Sequence, residues 1–266
     1  TVPFFDVQTE KYFKRTVRES DAFSLYEWAD HMVSVSNNGA ASVLWREVVL
    51  MNAFGKDYPC LSEWEAEEYI NNTDRKEMTK VAIALVNNPL RSVEIGTDEW
   101  RLGSFFTGGA KRRIGSAGGS IGTPAGLMKW MVALESGQLI DEKSSLEMKR
   151  IMYVTDRRIR YAATNELDSA AVYFKSGSFY KCDRDKNPDC GKYKGNVYNY
   201  MNSIAIVEQP DGTTYMVALM TNVLNRNSNW DHRLLAKNID SVVRKGFGDL
   251  KAKVNLEDDP EDDGDN

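Results

Sequence analysis

Two short strings place charge, hydroxyl and amide groups where a folded core has no use for them. Ser36-Asn37-Asn38 falls in a polar break between two helical patterns, and Lys175-Ser176-Gly177 falls inside an apolar, β-forming run. A serine hydroxyl beside a carboxamide can relay a proton and hydrogen-bond an amide. A strand lysine followed by a hydroxyl and a glycine offers a fixed positive charge, a hydrogen-bonding group and room for a ligand's backbone against the strand. Each string also has a structural reading, with Ser36 and Asn38 as helix caps and Lys175 as an edge-strand charge that blocks aggregation. The pair, in this order and these contexts, is what points to a site.

Other chemistries are poorly supplied. His31 and His232 are the only histidines, so a Ser-His-Asp mechanism is thin and a lysine or carboxylate is the expected base. No Cys-x-x-Cys spacing occurs, and both histidines read as surface or helix residues rather than zinc ligands. Of the three cysteines, Cys182 and Cys190 flank Lys186-Asn187-Pro188-Asp189 and can close a hairpin disulfide in an oxidising compartment, leaving Cys60 free. The glycine-rich stretch 103–122 has no phosphate-loop spacing and reads as a flexible loop.

The elements that must position these groups follow from periodicity. Ser24 and Glu27 form a capping box for a helix to about Val35 with Leu25, Trp28, Ala29, Met32 and Val33 on its apolar stripe, and a second helix runs from Ala40 to Ala53, stopped by Gly55. Ser62 with Glu65 caps a third helix to about Ile70, and Thr73 to Val86 is a fourth, ending near Asn88-Pro89. Thr123-Pro124 opens another that Gly137 closes, and one more spans Glu142 to Tyr153. After Ala170 the period changes to strands over 171–180, 199–208 and 213–221, the last two joined at Pro210-Asp211-Gly212. A final helix from Asn229 to about Arg244 stops at Gly246, with Leu234, Leu235, Ile239, Val242 and Val243 on its packing side.

Composition sets the outer bounds. The chain has 266 residues, 42% of them hydrophobic and 27% charged, ordinary for a globular protein with its own core. Residues 256–266 hold seven acids and no base, so the remainder carries 34 bases against 32 acids and is near neutral. A body so balanced lacks the basic face of a nucleic-acid binder, and Lys111-Arg112-Arg113 is too small to supply one. The acidic end is expected to be disordered. Apolar runs such as 81–86 fall far short of the ~20 residues a bilayer helix needs, and residues 1–6 show no signal-peptide pattern.

With these elements in place the chain resembles the penicillin-recognising serine hydrolases, in particular their class A β-lactamase-like branch. The run from Trp28 to Ala41 looks like the S-[DN]-N segment between two helices, Thr123-Pro124-Ala125-Gly126 like the helix start after the Ω loop, and Lys175-Ser176-Gly177-Ser178 like the K-[ST]-G strand, over about Ser24 to Phe247. The resemblance implies an α+β, β-lactamase/transpeptidase-like fold, an antiparallel sheet packed by a C-terminal helix plus an all-helical region. Residues 1–155 would be the helical part, 156–250 the strands and last helix of the same composite catalytic domain, and 251–266 the tail. It also implies that Ser36 relays a proton to the leaving nitrogen, Lys175 stands beside that relay and the substrate carboxylate, and the Ser178 N–H forms half of an oxyanion hole. Asn38 would hold the substrate's amide side chain, Ser176 its carboxylate, and Gly177 would leave room for its backbone.

The expected activity is that of a serine hydrolase acting on a β-lactam or D-Ala-D-Ala-like amide through an acyl-serine, its nucleophile expected upstream of this chain, which alone would be inactive, with a small molecule or a peptidoglycan stem peptide as partner. No metal, organic cofactor, nucleic acid or membrane span enters it. The expected place is the periplasm or cell exterior. Two departures stand against the pattern. The only S-x-x-K string is Ser178-Phe179-Tyr180-Lys181, whose ends must face opposite sides of a strand. This favours a fragment lacking its N-terminal part, since three strands with an unpaired inner edge are a poor free-standing design; the alternative is a degenerate, catalytically inactive module that binds cell-wall peptides or proteins. Residues 102–122 hold no glutamate for deacylation, Glu67 and Asn71 lie too far upstream on a surface helix, and Glu99 is a weaker candidate.

Overall fold

A computed structural model describes residues 2–18, 21–105, 107–153 and 158–257. The chain divides into two compact units, Thr1–Arg157 and Arg158–Asn266. The first opens with an antiparallel hairpin, β1 (Val2–Asp6) and β2 (Lys11–Arg15), which no strong turn signal announces in the sequence. The Asp6 carboxylate accepts from the Gln8 N–H at 2.9 Å and turns the chain, while Glu10 takes a left-handed φ of 53°.

Helices make up the rest of this unit. The Ser24 capping box starts α1 (Leu25–Val33), and Asn37 caps α2 (Asn38–Phe54), which Gly55 ends. Ser62 and Glu65 form a second capping box for α3 (Glu63–Asn72), and Asp74 caps α4 (Arg75–Ser92). A core of Trp45, Val49 and Leu50 from α2, Ala66 and Ile70 from α3, and Met78 and Ala82 from α4 holds them together. Two expected boundaries move. α4 continues through Pro89, because a proline in a last turn costs only the bond to the Leu85 carbonyl and leaves the earlier turns intact. The stretch expected to be a flexible loop contains α5 (Gly108–Arg113), capped by the Thr107 hydroxyl, and is flanked by a two-residue ladder of β3 (Trp100–Arg101) with β4 (Ile121–Gly122). Thr123 caps α6 (Pro124–Glu135), and α7 (Glu142–Tyr153) completes the unit as expected. His31 is buried, edge-on to the rings of Phe23 and Trp28.

The second unit is an antiparallel sheet in the order β5-β6-β7, with β5 (Ala171–Lys181), β6 (Tyr198–Glu208) and β7 (Thr214–Asn222). One face packs Val172, Phe174, Ala205, Val207 and Val217 against Ala236, Ile239 and Val243 of α8 (Asn229–Glu257). The packing side of α8 differs from the expected one. Leu234, Leu235 and Val242 are exposed, and the inward row is His232, Ala236, Ile239, Asp240 and Val243. Polar side chains occupy two positions of that row, so an apolar count misplaces it. α8 also runs past Gly246 and through residues 251–257, which the acidic composition assigns to a disordered tail. Lys, Ala, Leu and Glu are good helix formers, and lengthening an existing helix costs little compared with starting one. The remaining tail residues lie outside those described. No described helix is long and apolar enough to cross a membrane.

His232 is fully buried, its ring 3.1 Å from Ser203 Oγ and 2.9 Å from Thr221 Oγ1. Burial first, and the charge of Arg160 second, push its pKa down to about 4, against a smaller upward pull from Asp231. Between pH 6.5 and 4 the unfolded chain therefore holds a proton that the native chain refuses, and stability falls as pH falls through that window. Urea unfolding at pH 7 and pH 4 is expected to show a His232-dependent loss on the order of 3 kcal/mol, absent from the corresponding difference for His232→Gln.

Candidate active site

The first cluster sits where α1 gives way to α2. The Ser34 N–H donates to the Asp30 carbonyl at 2.7 Å, the Asn37 N–H reaches back to the His31 carbonyl at 3.0 Å, and Val35 is buried, so the connection is pinned at both ends. Asn37 Oδ1 accepts from the N–H groups of Gly39 at 2.8 Å and Ala40 at 3.2 Å. Capping thus belongs to Asn37, and α2 starts at Asn38 rather than at Ala40. The structural reading of Ser36 and Asn38 as caps is thereby removed. Ser36 is exposed and holds a left-handed φ of 55°, a conformation unfavourable for a serine and tolerated where the surroundings dictate it. Asn38 is exposed on the first turn of α2.

The second cluster lies on β5, an edge strand hydrogen-bonded to β6 with Lys175 opposite Ile204, Ser176 opposite Ser203, Gly177 opposite Asn202 and Ser178 opposite Met201. Because Val172 and Phe174 point to the α8 side, alternation puts Lys175 and Gly177 on the other face. Lys175 is half-buried and its Nζ donates to the Ser176 carbonyl at 2.9 Å. A Cβ built at Gly177 would meet nothing within 4 Å, so the protein's own packing does not use the space above it.

Arg160 is a member of this cluster that sequence reasoning missed. It precedes the strand on a short 3-10 turn, with a φ of 53°, is 6% exposed, and donates from Nη1 to the Gly177 carbonyl at 2.7 Å. Its guanidinium also lies 5.6 Å from the centre of the Tyr193 ring. Nothing in a single sequence distinguishes this arginine from the nearby Arg157 and Arg158; its signal is burial, which only the fold supplies. Burial first and the Arg160 charge second bring the Lys175 ammonium down to about pKa 8. Two cations gathered beside an open strand edge form a binding position for an anion, above all a carboxylate.

Other sequence candidates resolve differently. Ser178 and Lys181 are an odd number of residues apart on β5 and face opposite sides, so they do not form a serine–lysine pair. Glu99 lies 2.8 Å from Lys129 Nζ and accepts from the Gly96 N–H at 2.7 Å, and those two bonds hold its carboxyl below the usual range. Glu67 is exposed on α3, 3.4 Å from Arg46. Cys182 and Cys190 form a disulfide and Cys60 is free and exposed. Among the described residues no group of histidine, cysteine and acidic side chains forms a metal-binding cluster.

A helical unit carrying a serine–asparagine loop, and an antiparallel sheet with a lysine–serine–glycine edge strand packed by a C-terminal helix, define a protein of the β-lactamase/transpeptidase-like α+β class. The chain belongs to the Beta-lactamase enzyme family, which it matches over residues 11–239. Among solved structures it is similar to a class A β-lactamase from Bacteroides cellulosilyticus (TM-score 0.53, 16% identity, 83% of this chain and 62% of that one). A β-lactamase from Sphaerobacter thermophilus is also similar (TM-score 0.52, 15% identity, 86% of this chain and 64% of that one). So is a variant of PBP-A in an acyl-enzyme complex with penicillin G (TM-score 0.51, 13% identity, 88% and 65%). At such identities the likeness is one of fold. The chain spans less than two thirds of the length of these structures. No curated protein matches it in sequence.

Ser36 and Asn38 belong to the first unit and Lys175, Ser176, Gly177 and Ser178 to the second. Within the second, a pH test follows from the Lys175 ammonium. Losing its proton as pH rises through about 8 removes one of the two charges that attract an anion. Binding of N-acetylglycine, followed by NMR, is therefore expected to weaken about tenfold per pH unit above that point, since one proton is linked to binding. Lys175→Arg, which stays charged, is expected to abolish the fall.

Proposed function

We propose that this protein is a serine hydrolase of the β-lactamase and penicillin-binding type, acting on β-lactam or D-Ala-D-Ala-like amides through an acyl-serine. The observation that supports this reading most is the Lys175–Arg160 cation pair beside the K-S-G edge strand, with open space above Gly177. An amide substrate with a terminal carboxylate is anchored there by Lys175 and Arg160 and lies along β5 as an added strand would, while alternation turns the Ser176 side chain to the α8 side with Phe174. The attacking serine Oγ forms a bond to the carbonyl carbon, and the Ser178 N–H donates to the oxygen that gains negative charge. When the carbon–nitrogen bond breaks, the proton given up by the attacking serine is relayed to the leaving nitrogen, the role proposed for the Ser36 hydroxyl, and Asn38 is the residue proposed for the amide side chain. The attacking serine is neither Ser36 nor Ser178, whose roles here are proton relay and, through its N–H, oxyanion binding.

Water must then cleave the ester. Glu99 is committed to Lys129 and Glu67 lies beside Arg46, so neither is assigned as the base, and slow deacylation favours a penicillin-binding or peptidase role. The Cys182–Cys190 bridge supports action in the periplasm or outside the cell. A second reading, a binding module that holds cell-wall peptides without cutting them, draws on the two-sided placement of Ser178 and Lys181.

Incubation with a fluorescent penicillin separates the two. Expressed from its complete reading frame, the protein is expected to carry a covalent dye adduct on denaturing gels, formed at least about 100-fold more slowly in Lys175→Ala and Ser36→Ala, a cost of about 2.7 kcal/mol in the barrier. An unlabelled protein that still binds a D-Ala-D-Ala peptide would establish the module instead.

A further inference from the structure

A groove of about 490 Å³ runs along α4 in the first unit, and none of the residues lining it belongs to the site described above. α4 forms one wall, and residues between Thr97 and Leu102 form the other together with Ala117. Lys76, Lys80 and Arg91 line it from the helix and Arg101 from the opposite wall, whereas among the described residues no carboxylate does. Several cations elsewhere in this unit are paired, Arg46 with Glu47 and Glu63 at 2.6 Å, Lys129 with Glu99 and Lys149 with Glu135 at 2.8 Å. None of the four groove cations is ion-paired among the described residues. Asp74 is spent on capping the N–H groups of Lys76 and Glu77, and Glu99, which feels the Arg91 charge, is bonded to Lys129. Glu77 and Asp98 are exposed and outside the lining. Charge of one sign gathered in a concavity focuses its field and draws in anions.

The two walls are fastened to each other. Asn87 Nδ2 donates to the carbonyls of Ile83 at 2.7 Å and Leu102 at 2.9 Å, and its Oδ1 accepts from the Leu102 N–H at 2.8 Å. The Arg91 guanidinium donates to the carbonyls of Ile95 and Trp100, and Arg101 Nε to the Gly119 carbonyl at 3.1 Å. Thr79 Oγ1 accepts from the Gly115 N–H at 2.7 Å. Carbonyl partners occupy guanidinium hydrogens without cancelling the charge. Ile83, Ala84 and Leu102 supply an apolar floor. Lys80 and Arg91 stand on either side of Ile83 and Ala84 along the helix, about 16 Å apart on its axis. The groove is therefore built before any ligand arrives, and a rigid site loses little entropy on binding.

We propose that the α4 groove docks an extended acidic peptide segment of a partner protein, with acidic residues at both ends and one or two aliphatic residues between them. Charge and spacing select this occupant. An extended peptide advances about 3.3 Å per residue, so about five residues carry it from Lys80 to Arg91. Its acids then meet the cations, and its aliphatic side chains cover Ile83, Ala84 and Leu102. A flat anionic lipid surface does not enter a concave groove, and a bare polyphosphate has no apolar group to set on the floor. Docking here is independent of the acyl-serine reaction proposed above.

Fluorescence anisotropy of the labelled peptide Asp-Glu-Gly-Leu-Val-Gly-Glu-Asp with the full chain tests this. Binding is expected at low salt and is expected to weaken at least about tenfold when salt rises from about 50 to about 500 mM. The double variant Lys76→Glu with Lys80→Glu, at exposed positions, is expected to bind at least about tenfold more weakly. Lys56→Glu with Lys143→Glu, the same charge change outside the groove, is expected to stay within about twofold. Replacing Leu-Val in the peptide by Ser-Ser is expected to cost at least about fivefold, through the lost contact with the floor. Equal weakening by the two double variants, or equal affinity for the Ser-Ser peptide, overturns the proposal. No binding at about 1 mM peptide, both in the full chain and in one ending at Glu257, overturns it as well. Binding only after residues 258–266 are removed makes the chain's own acidic end the occupant in place of a partner. Lys76- and Lys80-dependent binding to phosphatidylglycerol vesicles without peptide binding makes the groove a lipid contact and overturns the peptide.

Discussion

Two positive charges held close together beside a strand edge set the terms for the second unit. Arg160 is almost wholly buried, and its guanidinium is held by the Gly177 carbonyl and lies near the ring of Tyr193; Lys175 is half-buried on the neighbouring strand. Burial makes both harder to charge, and the Arg160 charge adds to the difficulty at Lys175, so the arrangement is a standing electrostatic cost in the unliganded protein. A fold keeps such a cost where a ligand of opposite sign relieves it. The left-handed backbone at Arg160 and the hydrogen bond from its guanidinium to the Gly177 carbonyl hold it against the strand that carries Lys175.

The helical unit solves a different problem, that of presenting a short polar loop between two helices without letting it collapse onto their ends. The solution is a division of labour among neighbours. Asn37 satisfies the first amides of α2, and Val35 is buried and anchors the turn. Ser36 and Asn38 are left exposed on either side of the cap. A serine in the left-handed region, flanked by residues whose structural duties are plain, carries more functional meaning than the same serine would in a relaxed turn.

How much of this could be read from the chain alone depended on how local the cause was. Capping boxes at Ser24 and Ser62, Thr123-Pro124, and the three strands were legible because their signals lie within a few residues of the structure they produce. The β1–β2 hairpin lacked a strong turn dipeptide, and α5 was hidden by glycines in a stretch that reads as loop. The inward row of α8 was misplaced because His232 and Asp240 are polar, and only tertiary partners make them core residues. The same limit applied at the site. Lys175, Ser176 and Gly177 were legible as a string, whereas Arg160 became visible only through its burial against that strand.

Those two polar residues of α8 have a mechanical consequence. His232 engages Ser203 and Thr221 near one end of the sheet, and Asp240 accepts hydrogen bonds from Tyr215 at 2.9 Å and Gln209 at 2.7 Å eight residues further on, about 12 Å along the axis. Apolar ridges alone would allow the helix to shift by a turn and find comparable grooves. With both polar contacts made, a shift in either direction strands two buried partners at once, so the helix has a single axial setting and the strands beneath it inherit that fixed alignment.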